Sequence, residues 1–184
     1  MTYYKDLTFF QYTQSDWVFE SNFPYILLNV GWLDKRQYYM QEAFDNTIKE
    51  KLLWSILNYC ENPVNLTTGH HTCNLCPNEY GRILNVQRKG KEINLGNGEI
   101  FVKGINNLVY VAPTLIYHYI EVHNYKPPEE FFNAVSTSST IEDFLFFKDM
   151  EARAQYTKKT TKKYENGQRL DALGCLFYDV RNEN

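Results

Sequence analysis

Apolar and polar positions along this chain change period several times, and each change marks an element. Residues 3–12 mix aromatic and β-branched types without helical recurrence, which predicts a strand or an extended arm. Tyr25-Ile26-Leu27-Leu28-Asn29-Val30 is a compact apolar run closed by Gly31-Trp32-Leu33-Asp34, the pattern of a short buried strand. The period then lengthens. Between Glu42 and Cys60 the residues Phe44, Ile48, Leu52, Ile56 and Tyr59 recur at three- and four-residue steps, and Leu53, Leu57 and Cys60 widen the stripe. Asp45, Lys49, Glu50, Lys51 and Asn58 take the other face, so the segment predicts a helix laid on a core with one side in water. Asn62-Pro63 stops it.

Three short apolar runs follow: Ile83 to Val86, Glu99 to Val102 and Leu108 to Val111. Gly90, Gly96-Asn97-Gly98 and Gly104-Ile105-Asn106-Asn107 separate them, so they predict three antiparallel strands, with Gly96-Asn97-Gly98 as a hairpin turn. Pro113 suits the first turn of a helix, where its missing amide hydrogen costs nothing and its φ is already helical. That helix is expected to run through Leu115, Ile116, Tyr119 and Ile120 to Val122, and Lys126-Pro127-Pro128 breaks it. A short helix restarts from Pro128 to Val135, with Glu129 and Glu130 at its positive end. Ser136 to Thr140 reads as a linker, and Ile141 to Lys163 favours helix. The sum is an α+β fold, a small antiparallel sheet packed with several helices. Residues 1–135 form the main domain, and residues 136–184 form a C-terminal helical extension on or beside it.

Composition changes this picture in one respect, its aromatic weight. Fifteen Tyr, twelve Phe and three Trp can supply much core area together with ordinary surface, and tyrosines also suit a recognition surface, for which Trp17, Tyr38 and Tyr39 are candidate contacts. A net charge of −3 argues against general attraction to nucleic acid, and Lys158, Lys159, Lys162 and Lys163 read as a solvated helix end. No apolar run approaches the roughly 20 residues that span a bilayer, and Met1-Thr2-Tyr3-Tyr4-Lys5-Asp6 leads into no signal-peptide core. The expected location is therefore cytoplasmic, without a membrane partner. In that reducing compartment Cys73 and Cys76 are expected as metal ligands or thiols rather than a disulfide, and Cys60 and Cys175 as small buried hydrophobes.

Candidate chemistry concentrates in His70-His71-Thr72-Cys73-Asn74-Leu75-Cys76-Pro77. A two-residue gap lets both sulfurs bind one ion, the spacing of a zinc knuckle. His118 and His123 have histidine spacing compatible with the other half of a Cys2His2 shell, although a gap of 41 residues separates them from Cys76. Five residues at 100° each put the two imidazoles about 140° apart on an ideal helix, so sharing an ion requires the helix to loosen before His123. The expected zinc shell is Cys73, Cys76, His118 and His123, with His71 as the alternative histidine. On an extended backbone His71 and Cys73 point to the same side.

Four protein ligands make a zinc ion structural. An incomplete set would leave an open position for a hydrolase, with Glu99 or Glu121 as its base. A zinc deaminase is excluded, because the proline follows Cys76 instead of preceding Cys73 and no His-x-Glu is present. No Gly-x-Ser-x-Gly, phosphate loop or dinucleotide fingerprint occurs either.

Several stretches occur in the order of a known grouping. They are Asp6-Leu7-Thr8, Leu28-Asn29-Val30-Gly31-Trp32-Leu33-Asp34, Gly69 to Cys76, Gly96-Asn97-Gly98-Glu99-Ile100, and Tyr110 to Tyr119 with His123 to Phe131. From Tyr3 to Val135 the chain resembles a family of uncharacterised bacterial proteins, a domain of unknown function. The resemblance implies a soluble bacterial protein and ties His71, Cys73, Cys76, His118 and His123 to the family pattern. It brings no activity. The expected function is a small binding protein with structural zinc, an immunity or regulatory partner of another protein such as a toxin. The alternative is a zinc-dependent hydrolase.

Overall fold

The computed structural model describes residues 2–10, 26–36, 45–76, 82–88, 90–137, 169–170 and 176–177. Trp17, Tyr38, Tyr39, Phe44, Cys175 and the helix expected over 141–163 lie outside them.

Strand β1 (Ile26–Asn29) is the buried run expected from its sequence. Helix α1 (Asn46–Cys60) begins where Asp45 caps it, the carboxylate accepting from the Ile48 amide at 3.0 Å. Its stripe is buried at Leu52, Ile56, Leu57, Tyr59 and Cys60, whereas Ile48 stays 44% exposed. After it come β2 (Leu84–Arg88), β3 (Lys91–Leu95), β4 (Glu99–Lys103) and β5 (Leu108–Pro113). Two helices follow, α2 (Ile116–His123) and α3 (Glu129–Thr137). Beyond Thr137 the described residues form one small antiparallel pair, β6 (Arg169–Leu170) with β7 (Leu176–Phe177).

The central sheet is three-stranded, in the order β1-β5-β4. β4 and β5 form a hairpin closed at Ile105 to Leu108, where Asn106 and Asn107 both hold positive φ, 52° and 59°. That is the twist of a type I′ turn, which asparagine tolerates better than most residues with a Cβ. β1 instead runs parallel to β5, from Ile26 opposite Leu108 to Asn29 opposite Val111. Flanked on both edges, β5 is buried almost throughout, which explains why Leu-Val-Tyr-Val-Ala is apolar without alternation. The fold is α+β, but its main sheet is mixed.

Three local expectations change. β2 pairs with β3, a strand not expected from the sequence, and they turn at Gly90 with φ +75°. Gly96-Asn97-Gly98 is therefore no hairpin turn; it carries the chain from β3 to β4, and these two strands belong to different sheets. Pro113 ends β5 opposite Glu99 instead of starting a helix. A proline is tolerated at a strand end, where no further ladder bond needs its amide.

The arm at residues 2–10 runs beside β1 through isolated bridges, Tyr4 to Trp32 and Phe9 to Leu28, and is not a regular strand. Asn29 holds it, its side-chain amide donating to the Phe9 carbonyl at 2.7 Å. Asp6 accepts from the Gly31 amide and the Tyr125 hydroxyl, each at 2.8 Å, tying the arm to the segment after α2.

Candidate metal centre

The loop before the cysteines is docked by backbone contact. The His71 amide donates to the Gly96 carbonyl at 2.7 Å, and the Gly96 amide donates to the Thr114 hydroxyl, also at 2.7 Å. Gly96 has φ +90°, and a Cβ there would collide with the His71 carbonyl oxygen. Only glycine allows this approach without strain. The Thr114 amide donates to the Gly98 carbonyl at 2.9 Å, so the corner leading into α2 rests on the same glycine segment as the loop. Within the Cys-x-x-Cys turn, Asn74 Nδ2 donates to Asp34 Oδ2 at 2.8 Å. The Arg36 amide, followed by that of Asn74, holds the Asp34 carboxyl below its usual range.

Across from the turn, α2 supplies both histidines. One ligand atom from each of Cys73, Cys76, His118 and His123 lies within 4.8 Å of the others. The shortest separations are His123 Nε2 to Cys73 Sγ at 3.3 Å, His123 Nε2 to Cys76 Sγ at 3.2 Å and His118 Nε2 to Cys76 Sγ at 3.2 Å. The two imidazole centroids are 5.0 Å apart. Both histidines remain helical, but the last turn is wide. The Asn124 amide donates to the Tyr119 carbonyl, five residues back, and the Tyr125 amide reaches the same oxygen at 3.0 Å. A five-residue closure lowers the rotation per residue, which swings His123 towards His118. Asn124 then leaves the helix with φ 53°.

Ligand separations test whether this donor set fits a metal. Tetrahedral Zn–S and Zn–N bonds separate ligand atoms by about 3.3–3.8 Å, close to the spacing of these side chains. A single in-plane position on His123 Nε2 makes one good hydrogen bond, yet two sulfurs approach it. A cation between the three atoms would serve all of them. Cys73, Cys76 and His118 are buried, and His123 is partly so.

His71 is not in the cluster. It lines a separate cleft with Glu99, and burial pushes its imidazole below the usual range. Glu121 carries a Tyr117 hydroxyl at 3.4 Å and also lies outside the cluster. Sequence reasoning missed the supports: Asp34 and Asn74 behind the turn, and Tyr119 between the histidines. Among the described residues the buried Tyr119 hydroxyl has no partner; burial first, then the nearby Cys73, Cys76 and Asp34 charges, raise it well above the usual phenol range. A polar residue inside the turn was the one available signal.

Fold and site together define the class, a small α+β domain with a buried Cys2His2 cluster. The chain belongs to the family described as Domain of unknown function (DUF7919), which matches residues 2–136. That span agrees with the motifs found from Tyr3 to Val135. Comparison with curated proteins and with solved structures gives no match. Among the described residues, no helix is long and apolar enough to cross a membrane.

Proposed function

We propose that this chain is a cytoplasmic binding domain whose fold is clamped by one structural zinc ion on Cys73, Cys76, His118 and His123. The carrying observation is the convergence of four thiol and imidazole ligand atoms within 4.8 Å. Four protein ligands fill a tetrahedral shell and leave no position for a reacting water. The hydrolase alternative loses support because four side chains, rather than an incomplete set of three, bring ligand atoms together.

If the metal holds the fold, the activity belongs to a surface. Support for a protein partner comes from the aromatic composition and from Trp54, 56% exposed on α1. Net negative charge suits a basic partner, and the reading proposed is an immunity or regulatory protein bound to a toxin. Purification without chelators should yield one zinc per chain, and stripping it should unfold the domain; a folded chain with no metal overturns the zinc assignment. For the partner, co-expression with an adjacent toxin gene should give a co-purifying complex and suppress toxicity. Failure of both removes the immunity reading while leaving the zinc reading intact.

A further inference from the structure

Apart from the Cys/His centre, the chain builds a second polar site. Glu99 opens β4 with its backbone fixed on Val64: its amide donates to the Val64 carbonyl at 2.9 Å, and the Val64 amide donates to its carbonyl at 2.7 Å. The side chain is 4% exposed and, among the described residues, accepts one hydrogen bond, from Asn65 Nδ2 at 2.7 Å. Asn65 holds a left-handed φ of 50° at this point. Around the carboxyl, Trp32, Asn65, Thr67, His71 and Leu115 line a partly open, largely apolar cleft with room for about one water molecule.

This carboxyl is poorly compensated. A buried carboxylate needs a cation or several donors, and here a single neutral amide is supplied. Burial accordingly pushes Glu99 up to about 7, against the smaller opposing pull of Asn65. The cleft wall limits what can complete it. An anion would meet the carboxylate, and a large cation would not enter. Trp32 spends its indole N–H on the Val111 carbonyl at 3.0 Å and, 1% exposed with the Tyr4 and Phe10 rings against it, closes the inner wall without offering a donor.

We propose that the Glu99 cleft binds the ammonium head of a primary amine, whether a free alkylammonium or the end of a lysine side chain. An ammonium group is about the size of water and donates three hydrogen bonds. Glu99 takes its charge, and the alkyl stem leaves by the open side of the cleft, where Asn65, Thr67 and His71 reach solvent. When the amine arrives as its cation at a protonated Glu99, the carboxyl proton goes to solvent. The inference does not depend on the metal.

Methylammonium titrated into the full-length zinc-replete protein tests this, read through the carbon-13 signal of the Glu99 carboxyl. That signal is assigned as the one missing from Glu99→Gln. The expected result is saturable binding in the millimolar range, with the Glu99 titration midpoint moving down from about 7. Tetramethylammonium, too bulky and without donors, should not compete. A response to Nα-acetyl-lysine methylamide and none to its Nε-acetylated form extends the site to lysine ends; a response to methylammonium alone confines it to free amines. An unmoved midpoint, or an equal shift with potassium chloride at matched ionic strength, overturns the proposal. Calorimetry gives a second reading, since Glu99→Gln should lose the methylammonium heat, and a retained heat would also overturn it.

Discussion

One loop serves both polar clusters of this fold, and the two meet burial differently. Asn65, Thr67 and His71 wall the Glu99 cleft, whereas Cys73 and Cys76, a few residues on, join His118 and His123. The sulfur and nitrogen atoms of the second cluster close on one another at 3.2–3.3 Å. In the first, a lone carboxyl meets one neutral amide. Buried polarity is therefore not one property. A mutually satisfying donor set holds a structure together, whereas an uncompensated charge costs stability and invites a ligand.

The largest expected effect falls on the closed cluster. Cys76→Ser removes the sulfur shared by both histidines and is expected to abolish zinc binding. Structural zinc contributes about 10–16 kcal/mol in small domains, comparable to or above total domain stability, so the variant should be unfolded by circular dichroism. A folded Cys76→Ser protein would break the comparison. Glu99→Gln tests the other side. Because the folded carboxyl is raised from 4.5 to about 7, its stabilisation is complete below pH 4.5 and is lost as pH rises through 7. Relative to Glu99→Gln, the parent should lose about 3 kcal/mol between pH 4.5 and 8, read from urea midpoints at each pH. A flat difference would mean that the carboxyl is not destabilised by its site.

Gly96→Ala strikes the backbone that both clusters lean on. The added Cβ meets the His71 carbonyl at a φ of +90°, so a loss of about 1–3 kcal/mol is expected by thermal melting, with weaker zinc retention under chelator competition. His71→Ala is the smallest and most discriminating change. It should keep one zinc per chain by elemental analysis and shift stability by about 1 kcal/mol or less. Loss of the metal would return His71 to the ligand set.

Much of this architecture was legible in the chain. α1 declared itself through Leu52, Ile56 and Tyr59, and the four clustered residues through a two-residue cysteine gap and paired histidines. What escaped depends on contacts between distant segments. Strand direction leaves no mark in an apolar run, so the parallel β1/β5 pairing was invisible. β3 did alternate at Glu92-Ile93-Asn94-Leu95, but with too few apolar positions to stand out. Gly96 reads as turn punctuation in the sequence, whereas its missing side chain admits another backbone, and a local pattern looks the same in both cases. Glu99 opens an apolar strand, and its burial waits on Asn65, 34 positions earlier.

The parallel pairing also bears on how the chain reaches this state. Trp32 and Val111 meet across 79 positions, whereas the β2/β3 and β4/β5 hairpins close within a few. Contacts so far apart in sequence repay their loop-closure entropy late, so the hairpins are positioned to form first and β1 to dock afterwards. Until it does, β5 presents an open edge of nearly continuous apolar sequence. The interval before β1 arrives is when a nascent chain is most exposed to pairing with its neighbours.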